Sequence, residues 1–129
     1  MASSDLETQI RRFFESHPSD VVTVYLFGSF ARQDFRSDSD VDVAVLLNKN
    51  PPRTFEGLLL PLAGELESHL GKPVDLIVLN RAPVDLIHRV LRDGKLLMDL
   101  DPSRRIRFEV RARNEYFDLQ PILKRYRRM

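Results

Sequence analysis

The chain contains no cysteine among its 129 residues, which excludes disulfides, thiolate metal sites and a cysteine nucleophile. No apolar run approaches ~18 residues, so no transmembrane helix is expected. The first residues, Met1-Ala2-Ser3-Ser4-Asp5, lack a basic stretch followed by an apolar one, so no signal peptide is expected and a cytoplasmic location is the simplest reading. There is no Gly-x-Ser-x-Gly elbow of the kind that carries a hydrolase serine. The three histidines, His17, His69 and His88, fall in separate helical segments without metal-ligand spacing and are expected at the surface. Internal repeats and low-complexity tracts are absent as well.

Net charge is nearly absent too, at +1, but it is unevenly distributed. Residues 104–129 carry nine Arg or Lys against Glu109, Glu115 and Asp118, a net +6, which leaves −5 on the remainder. Such polarity implies either a charged partner for the tail or a solvated basic helix face. With 43% hydrophobic and 30% charged residues, the composition is that of an ordinary globular protein. The length predicts a single domain over residues 1–129, with 102–129 as a basic helical segment available for docking a partner.

The chain reads as alternating helices and strands. Ser4-x-x-Glu7 is a capping-box pattern, and Leu6, Ile10, Phe13 and Phe14 follow at helical spacing, ending before Pro18. Val21 to Phe27 is β-branched and aromatic, predicting a buried strand closed by Gly28. A helical turn from Phe30 to Gln33 and a polar loop, Asp34 to Ser39, come next. In Val41 to Leu47 one face is wholly apolar, and the other opens with acids. After a loop at 48–53, Phe55, Leu58, Leu59, Leu62, Leu66 and Leu70 predict a core helix, with Pro61 forcing a kink or a late start and Gly71 a stop. Glu65, Glu67 and His69 interrupt its apolar character, so it is not a membrane element. Val74 to Leu79 predicts a third strand, Ala82-Pro83 a helix to Asp93 capped by Gly94, and Lys95 to Met98 a short edge strand. Asp101-Pro102 reads as the N-cap and first residue of a last long helix, with Ile106, Val110 and Phe117 as its apolar seam and a bend or break at Pro121. This order predicts an α+β domain, three-layered or open-faced, with a mixed sheet of three to four strands.

Chemistry concentrates at residues 28 to 42. The Gly28-Ser29 turn at the end of a strand can present N–H groups and a hydroxyl to a phosphate. Ten residues separate Ser29 from the pair Asp40-x-Asp42, whose i, i+2 spacing on extended chain points both carboxylates to one face. A phosphate cradle facing paired acids suits magnesium-dependent phosphoryl or nucleotidyl transfer. Asp75, if its strand pairs beside Val41 to Leu47, adds a third carboxylate able to hold a metal ion and accept a proton. Arg32 is placed to reach a phosphate or to form a surface salt bridge, and Asp38 continues the i, i+2 series but belongs to the loop.

These elements, Gly28-Ser29-Phe30-Ala31-Arg32, Ser39-Asp40-Val41-Asp42 and Pro73-Val74-Asp75-Leu76-Ile77, together resemble the signature of the DNA polymerase β-like nucleotidyltransferase superfamily. The string is most similar to its minimal nucleotidyltransferase (MNT) branch, over roughly residues 20 to 100. Members of that branch are often encoded beside a HEPN-domain ribonuclease toxin and serve as its antitoxin. The resemblance implies the nucleotidyltransferase fold and two Mg2+ ions held by Asp40, Asp42 and Asp75. It further implies ATP as substrate, its β- and γ-phosphates held by Gly28 and Ser29 with Arg32 nearby, and transfer of AMP to a tyrosine hydroxyl of the HEPN toxin. Gln33 stands where the branch usually has glycine, which predicts altered loop geometry rather than lost phosphate binding.

Competing functions remain open on sequence grounds. One is a non-catalytic antitoxin that neutralises its toxin by contact, as a hetero-oligomer. Another is a nucleotidyltransferase acting on a small molecule such as an aminoglycoside, although those enzymes are generally larger. Nucleic-acid binding by residues 104–128 is the weakest option, because Tyr116, Phe117 and Tyr126 make no stacking platform. No membrane partner is expected.

Overall fold

The computed structural model describes residues 3–17, 20–36, 38–49 and 56–127. Along the chain these form α1 (Ser3–Ser16), β1 (Val21–Phe27), α2 (Gly28–Arg32), β2 (Val41–Leu47), α3 (Glu56–Leu70), β3 (Val74–Val78), a 3-10 turn (Leu79–Arg81), α4 (Val84–Asp93), β4 (Lys95–Asp99) and α5 (Pro102–Arg127). The Ser4 cap side chain, the Pro18 stop, residues 50–53 of the loop, and the side chains of Phe55, Leu58 and Leu59 lie outside what is described.

The four strands make one mixed sheet in the order β3-β2-β1-β4. β1 pairs antiparallel with both β2 and β4, and β2 pairs parallel with β3. Alternation sends side chains to opposite faces, and helices cover both. Val24 and Leu26 of β1, with Val41, Val43, Val45 and Leu47 of β2, pack under α1 and α3. Tyr25, Phe27, Ala44 and Leu46 face the other way, against Leu79, Ile87 and Val90 and against Ala112 of α5. Of the two expected architectures the three-layered one is therefore observed, and the fold is the predicted α+β with a mixed sheet.

Several boundaries differ from the sequence expectation. α2 begins at Gly28 itself, two residues before Phe30, and Gln33 is its C-cap. α5 is not broken at Pro121 but runs on to Arg127. That proline forfeits one bond to the Phe117 carbonyl, at an exposed stretch of helix where water can replace it. α3 likewise runs through Pro61 from Glu56. Two histidines are more than surface decoration: His17 stacks on Phe13 at 4.0 Å between ring centres, and His88 stacks on Tyr116 at 3.6 Å, joining α4 to α5.

The last helix is fixed to the sheet by a polar clasp. Asp101 Oδ1 accepts the Arg104 N–H at 3.2 Å, the cap expected from sequence. Arg105 donates to Asp99 Oδ2 at 2.7 Å and to Glu109 Oε2 at 3.0 Å, and the Tyr25 hydroxyl donates to Glu109 Oε1 at 2.8 Å. Burial, and then the Glu109 carboxylate, push the Tyr25 hydroxyl well above its usual range, so it stays a donor. Among the described residues, no helix is long and apolar enough to cross a membrane.

Candidate active site

β1 runs into Gly28, whose φ of +73° is one that L side chains rarely adopt. Phe27 is the register partner of Asp42 across the antiparallel pair, so the turn passes directly over that carboxylate. A Cβ built on Gly28 would lie 2.0 Å from Asp42 Oδ2. Only glycine lets backbone and acid come this close.

Across the parallel pair, Asp42 is the register partner of Asp75. Asp42 lies on the Ala44–Leu46 face of β2 and Asp75 on the Ile77 face of β3, and those three apolar residues share one core. The two carboxylates therefore leave the same face of the sheet. The Val41 N–H donates to Pro73 O at 2.9 Å, pinning the entry of β2 to that of β3. Asp40 precedes β2 and is exposed, as is Asp75, whereas Asp42 is half-buried.

Electrostatics tie the three together. Burial pushes the Asp42 carboxyl above its ordinary value, the charges of Asp75 and then Asp40 push it further, and Arg32 partly opposes them. Among the described residues none of the three carboxylates accepts a hydrogen bond or forms an ion pair, so only the more distant Arg32 offsets their mutual repulsion. Asp38 is exposed in the loop and takes no part.

α2 carries the rest. Ser29 sits in its first turn, and the Ser29 carbonyl accepts the Gln33 N–H and, at 3.1 Å, the Asp34 N–H. Gln33 adopts the left-handed conformation, φ 61° and ψ 31°, which glycine reaches freely. The replacement is thus accommodated as backbone strain at this one residue. Gln33→Gly is expected to stabilise the protein by about 1 kcal/mol, read as a higher urea midpoint with an unchanged slope. Arg32 is exposed, donates to Asp34 Oδ2 at 3.3 Å, and leans electrostatically on both Asp42 and Asp93.

Sequence reasoning missed one neighbour of Arg32. Asp93, at the end of α4, is held below the usual carboxylate range first by Arg92, which donates to it twice at 2.9 Å, and also by Arg32 and Arg89. Nothing in the local pattern of α4 announces this neighbour, because sixty residues of chain separate it from Arg32. Phe30 is likewise more than turn filler. It is buried, stacks on Phe35 at 4.3 Å, and lies under the Lys72 ammonium at 5.7 Å, bracing the loop that leads to Asp40.

The donor set suits a hard divalent cation: carboxylate oxygens only, with neither sulfur nor imidazole among them. Among the described residues, no three His, Asp or Glu side chains form a ready-made chelating group. Magnesium takes one or two carboxylates and completes its shell with phosphate oxygens and water, so Asp42 and Asp75 are the pair that could hold it.

A family model described as polymerase beta, nucleotidyltransferase, matches residues 8–103. The chain belongs to this family. It is 30% identical over 115 residues to the protein adenylyltransferase MntA of Shewanella oneidensis, spanning 88% of this chain and 79% of that one. Among solved structures, a toxin–antitoxin crystallised with AMP-PNP superposes with a TM-score of 0.75 at 26% identity, over 93% of this chain and 97% of that one. A tri-AMPylated Shewanella oneidensis HEPN toxin in complex with its MNT antitoxin gives 0.70 at 24% identity, over 96% and 98% of the two chains; at that identity the likeness speaks for the fold alone.

Proposed function

We propose that this protein is an antitoxin that transfers AMP from ATP to a hydroxyl, that of a tyrosine, on a HEPN-domain ribonuclease toxin, and so neutralises it. The observation that carries the reading is the pairing of Asp42 with Asp75 on one sheet face, directly beneath the Gly28 backbone. The adenylyltransferase name of the relative and the AMP-PNP in the solved toxin–antitoxin support it.

In this reading the N–H groups of the Gly28-Ser29 turn and the Ser29 hydroxyl hold the β- and γ-phosphates, with Arg32 swinging from Asp34 to join them. Asp40, Asp42 and Asp75 would hold Mg2+, which neutralises the phosphate charge and stabilises both entering and leaving oxygens. Asp75, on the edge strand β3, takes the proton of the incoming hydroxyl. The acceptor oxygen bonds to the α-phosphorus as the bond to the β-phosphate breaks, and pyrophosphate departs. A phosphodiester on the toxin blocks its RNA site by bulk and like-charge repulsion.

The toxin docks, in this reading, on α5. Ile106, Val110 and Phe117 expose 50%, 49% and 69% of their surface on one face of that helix, amid the +6 tail charge that an acidic face on the toxin would match.

The test is to mix the two proteins with ATP and magnesium and weigh the toxin by mass spectrometry. Addition of one or more AMP masses is expected; unmodified toxin, with both proteins folded, would overturn the proposal.

A further inference from the structure

At the opposite end of β2 from the carboxylates lies a second concavity of about 330 Å3. Asp42 and Asn48 are six residues apart on extended chain, so about 20 Å separates the two places. Lys49, Arg104, Arg107 and Arg111 line it, and Glu115 is the single acid among its lining residues. Its apolar side is made by Ile87 and Phe108.

Two features set this apart from a solvated basic face. Arg104 is fixed, its Nε donating to Leu47 O at 2.9 Å, and the same carbonyl accepts Asn80 Nδ2 at 3.2 Å. None of the four cations forms an ion pair with a carboxylate among the described residues, although Arg105 one position away pairs twice. Four converging cations repel one another, and an anion among them removes that cost. Guanidinium forks match phosphate oxygens two at a time.

We infer that this cavity binds a nucleoside monophosphate, phosphate on the arginines and base or ribose against Phe108 and Ile87, as a site separate from the catalytic carboxylates. The volume is at the scale of a small-molecule pocket, larger than a bare oxyanion fills. An RNA strand would need a track of cations with stacking rings, whereas these cations surround one hollow. Arg104 and Phe108 lie nearly opposite Ile106, Val110 and Phe117 on α5, about 160° around the helix. Arg107, Arg111 and Glu115 also border a shallower concavity beside Ile106 and Val110, so a toxin docked there covers one rim of the hollow.

The test is equilibrium dialysis of AMP against the whole chain in EDTA. Without divalent metal, the three catalytic carboxylates repel the phosphate and leave only this site. One AMP per chain is expected. Arg107→Glu with Arg111→Glu, and separately Lys49→Glu, should weaken binding by about tenfold or more, all three being exposed residues whose loss leaves the core intact. Ser29→Ala with Arg32→Ala, which strips the proposed catalytic phosphate cradle and keeps its repelling carboxylates, should leave one AMP per chain bound, which separates this proposal from the catalytic one. Absence of saturable binding, equal binding by the charge-reversed variants, or binding of a short single-stranded RNA but not of AMP would overturn it.

Discussion

Asp42→Asn is expected to abolish AMP transfer and, in metal-free buffer at neutral pH, to leave the protein more stable than the unsubstituted chain. The loss of activity follows from the proposed role. A carboxylate holding the cation contributes several kcal/mol of charge stabilisation to the reaction, and each 1.36 kcal/mol is tenfold, so a fall on the order of 10³-fold is expected. The gain in stability follows from the geometry. Asp42 is half-buried beside Asp75 and Asp40, and its carboxyl is raised above the ordinary 3.8. A raised carboxyl binds more protons folded than unfolded. Its contribution is therefore fully present below pH 3.8 and is lost as pH rises through the elevated folded value. Asparagine cannot ionise and removes that penalty. Urea unfolding in EDTA at acid and neutral pH reads the difference. The gap between variant and parent should open with rising pH, and a gap independent of pH would contradict carboxylate burial and repulsion as its origin. A contact-only antitoxin would keep its inhibition in the same variant.

Gly28→Ala should be nearly as damaging to activity although it removes no titratable group. The new methyl meets Asp42 Oδ2 at 2.0 Å, and the carboxylate must move. A misplacement of about 1 Å costs about 10²-fold in rate. The positive φ adds about 1–2 kcal/mol of instability. Gly71→Ala supplies the control, because Gly71 has a φ of +68° and open space where its Cβ would go. Both variants should lose stability by urea unfolding, Gly28→Ala at least as much as Gly71→Ala, and only Gly28→Ala should lose transfer. Equal activity in the two would mean that the approach of Gly28 to Asp42 is without consequence.

What the sequence disclosed depended on how far each feature reaches along the chain. The Gly28-Ser29 turn and Asp40-x-Asp42 are short-range patterns, and strand alternation alone predicted one face for the two acids, although β2 begins only at Val41. The sheet's second acid needed more. Asp75 faces Asp42 only because β3 lies parallel to β2 in that register; the resemblance of residues 73–77 pointed to Asp75, but the pairing itself is not written in them. The order β3-β2-β1-β4 was hidden for the same reason. Pro121 misled because a lost bond is costly only where water cannot replace it. The basic concavity was invisible, since Lys49 and Arg107 are brought together by the fold of everything between them. Gln33 was visible as a departure, but its left-handed backbone was not.

The most direct measurement of the central claim is thermal melting with ATP and magnesium, each alone and both together. If Asp40, Asp42 and Asp75 hold a cation on a bound triphosphate, ATP and magnesium together stabilise far beyond either component, by about 2.7 kcal/mol at 100 times the dissociation constant, and Asp42→Asn with Asp75→Asn erases the effect. Full stabilisation of that double variant, or an equal shift from ATP without metal, would contradict it.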